Sequence, residues 1–252
     1  MEKLAKAMKS RGFLISQESD SIYFNKGNAD EELSLVKEMF NNIGANVVVE
    51  DRKIYVNEPL TEEQLQRIIW YPARNHEAGG GSEWRSWKYF SRRNHGAKVN
   101  TFVLETGVAH LVKTLSAAGF STNSSCDGHG RRSPNITFSG RLQATWFDIL
   151  FQEAKAELKL DYDWEFKKNG AMDPKWIANT RTGKWNLHTV LEDTGKIACY
   201  FFEHAEEISN TRKTIFGKCY KSTRKMVRSM TDEELYSWMR KEYKQYKIGK
   251  AQ

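Results

Sequence analysis

Short runs of β-branched and aromatic residues alternate along this chain with longer stretches whose apolar positions recur at helical spacing, and this pattern predicts a mixed α+β fold. Residues 1–10 read as a helix. Residues 12–16 (Gly-Phe-Leu-Ile-Ser) and 21–25 (Ser-Ile-Tyr-Phe-Asn) read as strands around the polar turn Glu18-Ser19-Asp20. Leu33, Val36, Phe40 and Ile43 mark a helix over 29–43, with Asn28 and Glu31 at capping-box spacing and Gly44 as its stop. Residues 46–50 and 53–57 make a second hairpin around Asp51-Arg52, and Thr61 with Gln64 starts a helix through Trp70.

After Tyr71-Pro72 the pattern breaks into a connector over 72–100 that is rich in glycine, aromatic residues and arginine. A helix over 102–119 follows, with Val103, Gly107, His110, Leu111, Thr114 and Leu115 along one side and Gly119 as its stop. Strands over 120–125 and 135–138 flank the loop Cys126 to Pro134, and a helix over 142–160 closes the group. Residues 161–190 predict a few short strands or a packed loop. Residues 197–230 predict one or two helices, and Thr231 opens a last helix with Leu235, Trp238, Met239, Tyr243 and Tyr246 on one stripe.

Residues 30–70 and 103–160 share one order: helix, glycine stop, strand, turn, strand, helix. The expected architecture is therefore two helix–hairpin–helix halves sharing one sheet, with a basic helical C-terminal region. The units are 1–71, 72–100, 101–160 and 161–252.

The chain has 252 residues, 39% apolar and 28% charged, a globular composition that excludes collagen and wholesale disorder. No apolar run is long enough to span a membrane, and the opening Met1-Glu2-Lys3 starts a charged helix and not the core of a secretory signal. Three scattered cysteines argue against a disulfide framework, so a cytoplasmic protein, in a bacterial host cell on the resemblance below, is expected. The net charge of +7 is unevenly placed. Residues 72–100 hold six basic and two acidic residues, and residues 211–252 hold twelve against four. Such clustering suits phosphate or an acidic partner, although solvated lysines would produce the same counts.

The most distinctive stretch is Ser124-Ser125-Cys126-Asp127-Gly128-His129-Gly130-Arg131-Arg132. Gly128 and Gly130 permit a backbone whose N–H groups converge on an anion, and Arg131 and Arg132 supply forked donors, so a phosphate cradle is expected here. The spacing is neither that of a Walker loop nor that of a dinucleotide fingerprint. Together with Leu115 to Thr122 and Pro134 to Phe138, the run resembles a segment of uncharacterised phage and prophage proteins in which a helix leads into an S-C-x-G-H turn. The residues that carry the resemblance lie between Leu115 and Phe138. The resemblance implies a mobile-element setting, where small basic proteins act on nucleic acid or oppose host defence, and it carries no activity.

Cys126 and His129 have a spacing that metal sites use, but His95, Cys199, His204 and Cys219 form no second close pair. No metal and no cofactor are therefore expected; if a metal is present, Cys126 and His129 are its first ligands. Cys126 as a nucleophile with His129 as base is an alternative, with the arginine pair favouring thiolate. In the connector, Trp84 and Trp87 are interleaved with Arg92 and Arg93, the pattern of stacked bases and bound phosphates, or else of one buried helical face beneath solvated arginines. Asp161, Asp163 and Glu165 alternate as a solvated strand face or, less economically, as metal-binding carboxylates. The reading that follows is a non-enzymatic, phage-type accessory protein. It would recognise phosphate groups of nucleic acid or nucleotides through Gly128, Gly130, Arg131, Arg132, Arg92 and Arg93, with stacking on Trp84 and Trp87. A protein inhibitor that meets an acidic host defence protein, and a Cys/His- or metal-dependent enzyme, are the alternatives.

Overall fold

A computed structural model describes residues 1–73, 99–167, 174–216 and 220–250. The basic stretch with Trp84, Trp87, Arg92, Arg93 and His95 lies outside the described residues, as does Cys219. Among the described residues the protein is mixed α/β, with nine helices and two four-stranded antiparallel sheets.

Helix α1 (Glu2–Arg11) buries Leu4, Ala5 and Met8 and ends at Gly12, whose φ of 114° only glycine adopts freely. Strands β1 (Ile15–Gln17) and β2 (Ser21–Phe24) form a hairpin, α2 (Glu32–Asn42) crosses over, β3 (Val47–Glu50) and β4 (Lys53–Val56) form a second hairpin, and α3 (Glu62–Ile69) closes the run. β2 pairs with β4, so the strand order is β1-β2-β4-β3. The β3–β4 turn places Asp51 and Arg52 at positive φ, as a two-residue hairpin turn of matching twist demands. Arg52 bonds from there to the carbonyl oxygens of Phe24, Asn25 and Asn28, tying the turn to the end of β2.

The path then repeats, but from α1 and not from α2, so the expected match of 30–70 with 103–160 is one hairpin out of step. Helix α4 (Thr106–Ala117) leads to β5 (Thr122–Cys126) and β6 (Asn135–Phe138), α5 (Arg141–Leu158), β7 (Asp163–Lys167) and β8 (Lys175–Asn179), then α6 (Leu187–Glu203), with strand order β5-β6-β8-β7. The two first helices match in detail: Leu4, Ala5, Met8, Gly12 and Phe13 have counterparts in Leu111, Val112, Leu115, Gly119 and Phe120, and both phenylalanines are buried. The expected shared sheet is therefore corrected to two separate sheets, each built from two hairpins. The missing hairpin of the second half is β7–β8, in the stretch that sequence alone leaves between strands and packed loop. Its tryptophans, Trp164 and Trp176, stack with ring centroids 4.5 Å apart inside the second core.

Helices α7 (Ala205–Phe216), α8 (Tyr220–Ser229) and α9 (Asp232–Lys250) complete the chain. α9 starts with a reciprocal cap between Thr231 and Glu234 and lays Leu235, Met239 and Tyr243 on the second core, where Tyr243 meets Trp146. The capping box at Thr61 and Gln64 forms as its spacing predicts. The one at Asn28 and Glu31 does not, because Asn28 is fully buried and its amide bonds both the N–H and the carbonyl of Leu14.

Two apolar cores, one in each repeat, meet along α1 and α4. A Cβ on Gly12 would lie 2.6 Å from the Ala109 Cβ, so the end of α1 rests directly on the start of α4. α4 is buried on every face from Gly107 to Ser116, not on one side alone, and it takes a lysine into the interior. Lys113 Nζ donates to both carboxylate oxygens of Glu32 on α2, at 2.7 and 3.1 Å, and to the Val99 carbonyl at 2.7 Å. Glu32 also accepts the Thr101 amide, and Arg11 donates to the carbonyls of Tyr71 and Thr101. Burial lowers the pKa of Lys113 and brings that of Arg11 down to about 10, while the Glu32 charge opposes both shifts.

Removing one partner of such a pair strands a buried charge. Glu32→Gln is expected to cost about 3–5 kcal/mol in urea unfolding. Adding Lys113→Met should recover part of that loss, since the glutamine still accepts the Thr101 amide. Equal or greater loss in the double variant would show that the pair is not coupled in this way.

His110, one turn away on α4, has its pKa pushed from 6.5 down to about 4, first by burial and then by Lys9 and Lys113. The unfolded chain would take up this proton near pH 6.5 and the folded protein only near 4, so stability is full above that window and falls within it as pH drops. At about 1.4 kcal/mol per pH unit, the loss approaches ~3 kcal/mol. His110→Gln should flatten that slope in stability measured by denaturation from pH 7 to 4.

Candidate functional site

The loop between β5 and β6 spans eight residues, 127–134, whereas its counterpart between β1 and β2 is a three-residue turn. β5 delivers Cys126 at its last position. Asp127 follows, almost fully buried, and its carboxylate accepts the His129 amide at 3.0 Å and, across the gap to α4, the Gly107 amide at 3.3 Å. Asp127 thus caps the N-terminus of α4, where an anion meets the positive end of the helix dipole. Gly107 has no side chain because none fits: a Cβ there would sit 2.6 Å from the Asp127 Cβ.

A single 3₁₀ turn, Gly128–Gly130, then brings His129 back over Cys126 with its Nε2 3.7 Å from the Cys126 Sγ. His129 adopts φ 53°, between Gly128 at 80° and Gly130 at 67°. Glu105, the residue before α4, closes the group. Its Oε2 accepts the Asp127 amide at 2.6 Å and its Oε1 lies 3.3 Å from His129 Nε2. Glu105, Cys126, Asp127 and His129 each offer a ligand atom, all within 4.8 Å of one another, so these residues can hold a metal ion.

The glycines shape the turn as expected, but the backbone amides are used differently from an anion cradle. The Asp127 amide goes to Glu105, that of Gly128 to the Cys126 sulfur and that of His129 to Asp127, while those of Arg131 and Arg132 both go to the Gly128 carbonyl. The loop holds itself together with the donors that a phosphate would otherwise occupy. Arg131 and Arg132 project from this framework, both exposed, with Arg132 Nη2 3.5 Å from the Cys126 sulfur. The adjoining turn before α6 carries exposed Arg181 and Lys184, and the two turns touch where Gly130 approaches Leu187 and Trp185.

Burial, and then the nearby Glu105 charge, raise the Cys126 thiol pKa, and the Arg132 hydrogen bond lowers it less. A thiolate favoured by the arginine pair is thus not what this environment provides. Burial likewise raises the Glu105 carboxyl; the Asp127 amide that it accepts opposes the shift, more strongly than the Asp127 charge adds to it. Of the further ligands considered from sequence, Cys199 lies exposed on α6 and His204 stacks on Tyr200 at 4.5 Å, both apart from this group. Asp161, Asp163 and Glu165 are exposed and engaged with Lys196, Lys155 and Asn179, a solvated strand edge. Glu105 is the residue that sequence reading misses, for it stands twenty-two positions before Asp127 and only the packing of α4 against β5 joins them.

Comparison with protein-family models, with curated proteins and with solved structures finds no match to this chain.

The two glycines of the turn should respond unequally to alanine. At Gly128 the new Cβ would lie 3.1 Å from the Pro134 nitrogen, whereas at Gly130 the nearest atom is 3.7 Å away. Both substitutions incur the left-handed penalty of roughly 1–2 kcal/mol. Gly128→Ala should cost more still, and thermal unfolding of the two variants checks the order.

Proposed function

We propose that this protein recognises phosphate groups of nucleic acid or a nucleotide through the side chains of the β5–β6 loop, as a non-enzymatic accessory protein. The observation that carries the reading is the placement of Arg131 and Arg132. Both are exposed on a loop whose backbone is tied down by its own hydrogen bonds, so two guanidinium forks are offered from a backbone that is already ordered. Arg181 and Lys184 on the neighbouring turn widen the basic rim. The basic residues of 211–252 and of the 72–100 connector add long-range attraction for a polyanion. The resemblance of the S-C-x-G-H segment to phage proteins suits the same reading, with a bacterial cytoplasm as the setting. Recognition would lie with side chains and not with the amide nest that the glycines suggest in isolation.

Arg131→Ala with Arg132→Ala should weaken binding to single-stranded DNA or RNA in a fluorescence-polarisation titration while leaving stability within about 0.5 kcal/mol. The slope of log affinity against log salt should shrink by roughly 0.7 for each phosphate that is no longer neutralised. Undiminished affinity would remove the loop from the interface. Absence of binding to DNA, RNA and nucleotides at low salt would favour an acidic protein partner instead.

A further inference from the structure

The group formed by Glu105, Cys126 and His129 matches a zinc site along two of its edges and keeps its ligand atoms within 4.8 Å of one another. Tetrahedral zinc bonded to sulfur at about 2.3 Å and to nitrogen and oxygen at about 2.0–2.2 Å places the sulfur roughly 3.6 Å from the nitrogen, and the nitrogen roughly 3.4 Å from the oxygen. The corresponding edges here are 3.7 Å from Cys126 Sγ to His129 Nε2 and 3.3 Å from His129 Nε2 to Glu105 Oε1. One sulfur, one imidazole and one carboxylate are a donor set that suits zinc better than magnesium or calcium, which take oxygen.

Asp127 stands in a different relation. Both of its oxygens hold backbone amides, and Oδ1 faces His129 Nδ1 at 3.6 Å, on the other ring nitrogen from the one that meets Glu105 and Cys126. A carboxylate behind a ligating histidine orients the ring and selects its tautomer. We propose that the protein binds one zinc ion through Glu105 Oε1, Cys126 Sγ and His129 Nε2, with Asp127 as the positioning residue and a fourth position open on the side of Arg132.

Three protein ligands with one open position is the arrangement of zinc sites that take an exogenous oxygen ligand. Resting on the phosphate reading above, that ligand is a phosphate oxygen held jointly by zinc and Arg132. A metal ion would also offset the charge of Glu105 and Asp127, which otherwise oppose an anion at this loop. The expectation of no metal rests on having only two nearby ligands in sequence; the fold supplies a third from the start of α4.

The test is metal content and spectroscopy on the full-length protein. Protein prepared without chelator should contain about one zinc per chain. Cobalt replacing the zinc should show tetrahedral d–d bands and a sulfur-to-cobalt charge-transfer band, and Cys126→Ser should abolish the latter while circular dichroism confirms the fold. Glu105→Gln and His129→Gln should weaken zinc binding by more than the roughly 10–100-fold expected when a partner behind a ligand is removed, as in Asp127→Asn. No zinc above background, or bound cobalt without the charge-transfer band, overturns the site. Inorganic phosphate should shift the d–d bands of the wild type and do so less in Arg132→Ala. Unchanged bands would overturn the open phosphate position, while a charge-transfer band that persists would keep the metal. Failure of nucleic-acid binding in the polarisation assay would remove the phosphate reading without touching the zinc content.

Discussion

A lysine and a glutamate, both wholly removed from water, determine how the two repeats of this protein sit together. Burying an ion pair costs several kcal/mol per charge in desolvation, and its attraction offsets that only when the geometry is good and the remaining polar atoms are satisfied. Lys113 and Glu32 meet that condition through a two-oxygen contact, the Val99 carbonyl and the Thr101 amide. The consequence is specificity of packing. A shift of α4 by one turn would leave Lys113 among apolar side chains and Glu32 without its cation, so α4 has one acceptable depth. Arg11 extends the constraint by gripping the carbonyls of Tyr71 and Thr101, the chain on either side of the basic connector.

Around that anchored helix the chain follows the same route twice, and the repeat explains which parts of the fold sequence could reveal. Local signals sufficed for α2 and α3 and their hairpin, which end at turns with their own chemistry: Gly44 at positive φ, Asp51-Arg52 in the hairpin, Thr61 with Gln64 at a cap; Gly12, read as the first residue of a strand, instead stops α1. They failed at Asn28, whose side chain was claimed by the backbone of Leu14, a contact across fourteen residues that no local pattern encodes. They also failed to separate the sheets. β7 and β8 are short and aromatic, and Trp164 depends on Asp193, a buried carboxylate on α6 that accepts its indole N–H and the amides of Asp161 and Tyr162. Without that distant acceptor the stretch has no visible reason to be sheet and not loop.

The candidate site divides in the same way. Cys126, His129 and the glycines were legible because they share one turn, and the structure does bring the thiol and the imidazole together. The destination of the loop amides was not, since it depends on where Glu105 and Asp127 place their oxygens. Glycine freedom supplies the turn, but the acceptors in reach decide whether its N–H groups face outward or inward. Here the acceptors are internal, and the outward-facing chemistry passes to the arginine side chains.

Gly107 shows why the loop has a firm base. It lies where three parts of the second repeat converge: its amide bonds Asp127 of the loop, its carbonyl accepts Thr194 Oγ1 of α6 at 2.7 Å, and its own helix is α4. Any side chain would push the loop off the helix end. Because α4 is also the helix held by Lys113 and Glu32, displacement of the loop must work against the buried ion pair as well as the cap. The surface turn is thereby referenced to a helix that is buried on every face from Gly107 to Ser116. That is the condition under which a histidine–cysteine pair keeps its geometry and the backbone that carries the exposed arginines stays in place.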